Sequence, residues 1–171
     1  MVLSDEEAVG RPVETARAEL FAAAQRSDVA LAFEGAIGKT GTVARRGSAS
    51  WEVEVQGATG HSSGIFSAAM GAGSVYEAAR ILSGFYAELR PLDGLTLNPA
   101  LIVGGTETTL DRTGGKTEGK TNITAQSTRI RGDLRTTSAA QLAQAQALMR
   151  AIVAKNLPRT SATITFSEGY P

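Results

Sequence analysis

Trp51-Glu52-Val53-Glu54-Val55-Gln56 is the stretch that decides the fold, because apolar and polar side chains alternate in it at every position. Alternation with a period of two places the apolar residues on one face of a strand and the polar residues on the other. Apolar and polar residues also alternate toward the end of the segment from Ile123 to Leu134, where the polar positions are charged. Its two faces are Thr128, Ile130 and Leu134 against Arg129, Arg131, Asp133 and Arg135. The sequence therefore predicts strands that bury one face and leave the other polar.

Two helices are predicted on either side of the second of these strands. Apolar residues at helical spacing predict one helix from Val75 to Leu89, which ends before Pro91. The same spacing predicts another from Leu142 to Ile152. Ser74 with Glu77, and Ser138 with Gln141, are interpreted as capping boxes that begin the two helices.

The remaining segments predict two more strands, at 95–103 and 162–166, and a long loop at 104–120, which is rich in Gly, Thr and charge. The resulting order is strand, helix, strand, strand, helix, strand. This is the order of the split β-α-β (ferredoxin-like) arrangement. The predicted fold class is therefore α+β, with a four-stranded antiparallel sheet and two helices on one face.

Residues 1–41 follow a different pattern and are predicted to be a fragment of an α/β layer that precedes the domain at 42–171. Pro12 suits the first position of a helix, and apolar residues recur at helical spacing after it. Residues 29–33, Val-Ala-Leu-Ala-Phe, are typical of a strand buried on both faces. Because an acidic, strand-end-like segment follows Met1 almost directly, we expect the chain to be a piece of a longer protein.

The composition is that of an ordinary globular protein without charge bias. Apolar residues make up 42% and charged residues 20%, and seventeen basic residues balance seventeen acidic ones. This balance gives no electrostatic reason to expect a nucleic acid or an anionic membrane as partner. No targeting leader and no bilayer-spanning apolar run are recognisable. The absence of cysteine excludes disulfides and thiolate metal sites, but it does not distinguish a cytoplasmic from a periplasmic location.

Three carboxylates are candidates for a metal site. Glu6 and Glu7 are adjacent, and Glu34 follows the predicted strand at 29–33. Adjacent carboxylates can divide the work of metal-assisted hydrolysis, one holding a metal and the other moving a proton. An acidic run is also common as a solvated turn before a helix, and a carboxylate at a strand end is common too. The spacing alone leaves both interpretations open.

Three residues of the second domain are candidates for contact with a substrate. His61, the only histidine, lies in a Gly- and Ser-rich loop and is either a surface residue or a donor to a developing oxyanion. Arg135 is either part of a solvated charged face, with Asp133 as its partner, or a fork for a substrate carboxylate. Asn122 is either a turn residue or a polar substrate contact.

Taken in order, six segments resemble the family of dinuclear zinc exopeptidases and amidohydrolases that includes glutamate carboxypeptidase, succinyl-diaminopimelate desuccinylase and aminoacylase. The resemblance covers essentially the whole chain. The segments are SDEEAVG at 4–10, AFE at 32–34, RGSASWEVEVQGATGHSS at 46–63, LNPALIVGGT at 97–106, KTNI at 120–123 and RGDLR at 131–135.

The resemblance implies a catalytic α/β domain that is interrupted by an inserted lid, or dimerisation, domain. Residues 1–41 match a fragment of the zinc catalytic domain, and 42–171 match the lid. The resemblance implies that Glu6 corresponds to the general base, Glu7 to a ligand of one zinc and Glu34 to a ligand of the other. It likewise implies that His61 corresponds to the lid histidine that reaches across a homodimer to stabilise the oxyanion. Asn122 and Arg135 correspond to lid residues that bind the substrate, with Arg135 on the substrate's free carboxylate.

The expected function is that of part of a zinc-dependent hydrolase, which cleaves a peptide or an N-acyl amino acid amide next to a free carboxylate. The family's His-x-Asp segment, bridging aspartate and late histidine ligand have no counterpart in the chain. We therefore expect the chain alone to be inactive and not to hold its two zinc ions stably. The alternative is a stand-alone homodimerisation module. RNA binding ranks third, because the arginine-bearing strand face offers no aromatic rings for base stacking.

Overall fold

The alternating segment around Trp51 is the second strand from one edge of a four-stranded antiparallel sheet in the computed structural model of the chain. The structure describes residues 15, 17–31, 38–41, 44–111 and 113–167. The strands are β1 Gly47–Gly57, β2 Thr96–Gly105, β3 Glu107–Asp111, β4 Gly114–Glu118, β5 Ser127–Thr136 and β6 Thr160–Ser167, and the helices are α1 Ala18–Ala24, α2 Gly73–Leu89 and α3 Ala139–Val153. The strand order of the large sheet is β2-β5-β1-β6. The predicted α+β fold with a split β-α-β sheet is confirmed.

Helices α2 and α3 pack on the apolar face of the sheet, as the alternation predicts. The indole ring of Trp51 meets the ring of Phe85 edge to face, with 5.6 Å between centroids. Both side chains are buried, together with Val53, Ile130 and Leu134 from the two central strands. Their burial removes the apolar side of each strand from water, which is the main stabilising contribution to this layer.

The opposite face of the sheet is charged, and its charges are paired across β1 and β5. The guanidinium group of Arg131 lies 2.9 Å from a Glu52 carboxylate oxygen, and that of Arg129 lies 3.3 Å from Glu54. Cross-strand pairs of opposite charge of this kind contribute modestly to sheet stability.

The predicted capping box at the start of α2 is wrong. The residue that caps the helix is Ala72, and no side chain caps it. The Ser74 hydroxyl instead donates to the Ala125 carbonyl oxygen at 3.0 Å and meets the Thr128 hydroxyl at 2.9 Å. Glu77 is fully buried, where it accepts from Arg80 and from the Leu157 backbone N–H. Both residues face the protein interior, so tertiary partners replace the local cap.

The predicted cap of α3 is confirmed. The Ser138 hydroxyl accepts the backbone N–H of Gln141 at 3.1 Å. The Gln141 side chain reaches back to the N–H of Thr137, one residue before the cap, at 2.8 Å. The helix therefore begins where the sequence pattern places it.

The long loop predicted at 104–120 is wrong, because most of it forms the β3–β4 hairpin. At the turn, Asp111 accepts the Thr113 hydroxyl at 2.6 Å and the Thr113 N–H at 2.8 Å. These hydrogen bonds hold the pKa of Asp111 below its usual value, so their contribution is present at neutral pH and is lost as the pH falls through that lowered pKa. Arg131 donates to the Asp111 carbonyl oxygen at 2.7 Å, which ties the hairpin to the charged sheet face.

Contacts divide the chain into two units, Met1–Val43 and Ala44–Pro171. In the first unit, the described part of the predicted helix is α1. Residues 29–31 of the predicted buried strand are not in a strand, and Val29 and Leu31 are exposed. A strand of this composition needs neighbouring strands to pair with and layers to cover it, and the described residues of this unit provide neither. No helix in the described part of the chain has the length and apolarity to cross a membrane.

Candidate functional site

The three candidate carboxylates, Glu6, Glu7 and Glu34, lie outside the described residues, so their roles stay predictions. Among the residues that the structure describes, no three His, Cys, Asp or Glu side chains come together to hold a metal ion. The described residues therefore do not fit a zinc pair by themselves. The site that the structure does show is built from the other candidates, His61, Asn122 and Arg135.

His61 caps a single 3₁₀ turn, Ser62–Gly64, just beyond the end of β1. Its Nδ1 atom lies 3.3 Å from the Ser63 backbone nitrogen and 2.8 Å from the Ser63 hydroxyl. A backbone N–H can only donate, so Nδ1 is the acceptor and the proton of the neutral ring lies on Nε2. The side chain is exposed, and Nε2 has no partner among the described residues. His61 therefore presents an N–H donor to whatever approaches the loop.

Asn122 lies beside His61 because two loops are joined by backbone hydrogen bonds. The Ser62 N–H donates to the Asn122 carbonyl oxygen at 2.9 Å, and the Thr124 N–H donates to the Gly60 carbonyl oxygen at 2.9 Å. His61 and Ile123 form an isolated antiparallel bridge between these bonds. Asn122 and His61 are both exposed. The structure therefore brings two of the three described candidates together in one loop pair, 57–64 with 120–126.

Glycine holds this loop pair against the start of α2. A Cβ atom added at Gly57 would lie 2.6 Å from the Ser74 backbone nitrogen and 2.9 Å from the Gly73 carbonyl carbon. Gly73 itself has a φ of 75°, a region that favours glycine. The sequence pattern did not predict a role for either glycine. A glycine at the end of a strand pattern is the signal for such a close approach.

Arg135 lies at the opposite end of β5 from Asn122. It pairs with Thr96 of β2 and Ser48 of β1 in register, whereas the loop pair lies beyond Ser127. Ser127 and Arg135 are eight positions apart along the strand, which corresponds to about 26 Å. One copy of this domain therefore cannot place His61 and Arg135 around a single small substrate.

The surroundings of Arg135 differ from those of the other arginines on its strand face. Arg129 and Arg131 are paired with glutamates of β1, whereas Arg135 meets only Asp133, on its own strand, through Nε at 3.1 Å. The Arg135 side chain is 49% exposed. Its two terminal amino groups therefore remain able to donate to a carboxylate.

An apolar strip runs beside the loop pair, along the outer edge of β2 and the adjoining side of α2. No strand pairs with this outer edge among the described residues. The most exposed large apolar side chains in the described part of the second unit all lie here: Phe66 (68%), Val75 (49%), Tyr76 (54%), Tyr86 (65%) and Ile102 (52%). At the other edge, by contrast, the Arg150 guanidinium covers the Phe166 ring at 4.6 Å. The β2 edge is therefore the one prepared to meet another protein surface.

Comparison with known proteins identifies one matching family. Residues 43–161 match the model of the peptidase dimerisation domain, of M20 type. No curated protein sequence matches the chain.

Solved structures of similar fold include three hydrolases. One is a protein from Burkholderia cenocepacia assigned as an amidohydrolase or peptidase, with 18% identity and a TM-score of 0.58 over 74% of this chain and 28% of that one. A tripeptidase from Staphylococcus aureus has 16% identity and a TM-score of 0.53 over 74% and 30%. A hydantoinase/carbamoylase family amidase from Burkholderia ambifaria has 12% identity and a TM-score of 0.56 over 74% and 29%. The chain thus spans less than a third of the length of these proteins, and the similarity is one of fold.

Proposed function

The chain belongs to the M20-type peptidase dimerisation domain family, and from this premise we propose that it is the dimer-forming lid of a zinc-dependent metallopeptidase or amidohydrolase. The substrate class we propose is a peptide or an N-acyl amino acid amide, cleaved next to a free carboxylate. The observation that carries the proposal is that an exposed imidazole donor and an unpaired apolar sheet edge lie side by side. His61 leads within five residues into Phe66, which is part of the apolar strip.

The dimer uses the β2 edge and the exposed side of α2. A two-fold axis beside β2 pairs the backbone N–H and C=O groups of this edge with those of a second copy. It also removes the apolar side chains of the strip from water, whereas the described residues of β6 include no large exposed apolar side chain. The same axis brings the loop pair of one copy toward the other copy.

The dimer predicts a specific response to charge at the β2 edge. Ile102 lies near the middle of the strip, so Ile102→Lys places two ammonium groups close together across the axis. Because like charges at an interface cost several kcal/mol, the dimer dissociation constant should rise by about a hundredfold or more. Light scattering and sedimentation velocity measure this change. Thr163→Lys on β6 is the matched control and should remain dimeric, and a wild-type chain that is monomeric at high concentration would contradict the dimer.

The proposed chemistry divides the three described candidates between two tasks. The Nε2–H group of His61 donates to the oxyanion that forms when the amide carbonyl is attacked, and Asn122 adds a polar contact beside it. Arg135 binds the free carboxylate of the substrate with its unpaired amino groups. A tripeptidase and an amidase among the proteins of similar fold support an amide-type bond as the target.

The metal ligands we propose rest on the family resemblance. Glu7 and Glu34 each contribute to one of two zinc ions, and Glu6 moves the proton of the attacking water. The remaining ligands come from parts of the protein that are not in this chain. The chain alone is therefore proposed to be inactive.

Zinc titration tests this assignment directly. A catalytic zinc ordinarily takes three protein ligands, so we expect the chain alone to bind zinc weakly and without a stoichiometry of two. Isothermal calorimetry measures the binding, and His61→Ala controls for coordination by a lone surface imidazole. Tight uptake of two zinc ions per chain would refute the proposed ligand set.

A stand-alone homodimerisation module is the second candidate function. It is favoured by the self-contained core of the second unit, which includes Trp51, Phe85 and Leu134. The two candidates differ in whether His61 and Arg135 affect turnover, and mixing subunits that carry changes at these two residues distinguishes them.

A further inference from the structure

Phe66 and Tyr76 form an exposed aromatic pair, and the backbone of Phe66 is strained. Their ring centroids are 5.4 Å apart, and both side chains are more than half exposed. Phe66 has a φ of 70°, a conformation that is strained for a bulky residue, and its N–H donates to the Gly71 carbonyl oxygen at 2.8 Å. Strain that fixes an apolar ring in solvent typically marks a binding role.

A cavity of complementary character lies at the other end of α2. It has a volume of about 270 Å³ and opens between the helix and the β2 edge. Its walls are mainly apolar: Leu82, Tyr86, Leu89, Leu95, Leu97 and Pro99. One copy of the domain therefore carries an exposed aromatic pair and, one helix length away, an apolar cavity that can receive one.

The exposed side of α2 is suited to pack against its own copy in antiparallel orientation. Between residues 75 and 87 this side bears no charge, and its central residues, Ala79 and Ser83, are small. In a two-fold interface a residue before the axis meets the residue equally far behind it. An axis at residue 81 places Tyr76 opposite Tyr86 and Ala79 opposite Ser83.

The β2 strand is consistent with the same axis. A Cβ atom added at Gly104 would lie 3.2 Å from Val75, so the start of α2 lies over the end of β2. Residue 81 is about 9 Å further along the helix, which corresponds to about three strand residues and falls near Leu101 and Ile102. Ile102, the exposed apolar residue of β2, then meets its own copy at the axis.

We propose that the Phe66–Tyr76 pair of one copy packs into the cavity between α2 and β2 of a second copy, and that the second copy does the same in return. The inference rests on the proposed dimer and specifies its register. Two apolar contacts related by symmetry fix the two domains relative to each other, which a pair of hydrogen-bonded edge strands alone does not do, because strands can slip.

Cysteine pairs test the register, since the chain has no native cysteine. Tyr76→Cys and Tyr86→Cys are made separately, mixed under conditions of subunit exchange and treated with a short bis-maleimide. We expect crosslinked dimers from the mixture and little from either variant alone, because residues 76 of the two copies lie about 15 Å apart in this register. Ala143→Cys and Ala147→Cys, exposed on α3, are the matched controls and should not crosslink.

Phe66→Asn separates packing from folding. Asparagine tolerates positive φ, so the variant relieves the strain and should not lower the thermal stability of the monomer. It should weaken the dimer about tenfold or more, because it removes a central aromatic contact. A dimer that gives no mixed crosslink, a Tyr76→Cys variant that crosslinks to itself, or an unchanged affinity of Phe66→Asn each overturns the register while the proposed dimer stands. A monomeric wild-type chain overturns both.

Discussion

Replacing Gly132 by alanine is expected to destabilise the sheet domain by more than about 3 kcal/mol. Gly132 lies in the middle of β5, opposite Trp51 of β1 and Pro99 of β2. A Cβ atom at this position would overlap the Asn98 carbonyl oxygen and lie 2.5 Å from Cζ2 of Trp51. Neither neighbour can move away cheaply, because Asn98 is held in the sheet and the indole N–H of Trp51 donates to the Asp133 carbonyl oxygen at 3.2 Å.

Urea unfolding measured by tryptophan fluorescence reports on this site directly, since Trp51 is the only tryptophan of the chain. The matched control is Gly119→Ala, where the nearest atom would be 3.8 Å from the new Cβ. That variant should differ from wild type by less than about 0.5 kcal/mol. An unfolding midpoint of Gly132→Ala that equals the wild-type value would show that the indole does not lie over the glycine.

The large sheet and its helices were predictable because each element repeats a simple period. Val53 and Ile130 alternate with charged residues along their strands. A sheet with one buried face requires this alternation, so the sequence shows it. The β3–β4 hairpin was not predicted, because its strands bury little and are built from Thr, Gly and charged residues. Its turn depends on Asp111, which accepts the backbone N–H groups of Thr113 and Gly114. A segment rich in Gly, Thr and charged residues is typical of a loop, so this turn was not recognised.

The capping box at Ser74 failed for a different physical reason. Its spacing matches the motif, but Ser74 and Glu77 lie on the buried side of α2, and neighbouring segments provide better partners for both. Burial overrides local propensity at this point. The local sequence does not show which side of the first helical turn will pack against the rest of the protein. The α3 box at Ser138 is exposed, so the local rule holds there.

Parts of the candidate site were predictable as residues but not as an arrangement. His61 and Asn122 are 61 positions apart in sequence, and only the backbone bonds between their loops show that they are neighbours. The separation of Arg135 from both follows from strand length once β5 is recognised. Because of that distance, we infer that His61 and Arg135 act on one substrate only when they come from different subunits.

Mixing two variants of the complete hydrolase, each nearly inactive at low substrate concentration, is expected to restore about a quarter of the wild-type activity at that concentration. His61→Ala alone should lower kcat by about 10² to 10³, the usual loss for one oxyanion donor, and Arg135→Ala should mainly raise KM for substrates with a free carboxylate. Within one subunit, about 26 Å of β5 separate Arg135 from Ser127, the end of the strand beyond which the loop pair with His61 lies. Each complete site therefore takes Arg135 from one subunit and His61 from the other. In a mixed dimer one of the two sites then has both residues intact.

Random pairing makes about half of all dimers mixed, and half of their sites are complete, which gives the expected fraction. Light scattering must show that each variant alone remains dimeric, so that lost turnover reflects the site and not the assembly. The Thr163→Lys variant, altered on the β6 edge, is the control and should contribute full activity in any mixture. If activity does not return on mixing, the proposal that the two subunits share each site is wrong. A single subunit would then supply both residues, contrary to the length of β5 that separates them. Full activity of both single variants would instead leave the domain with dimerisation as its function, because neither the imidazole donor nor the guanidinium would then act on a substrate.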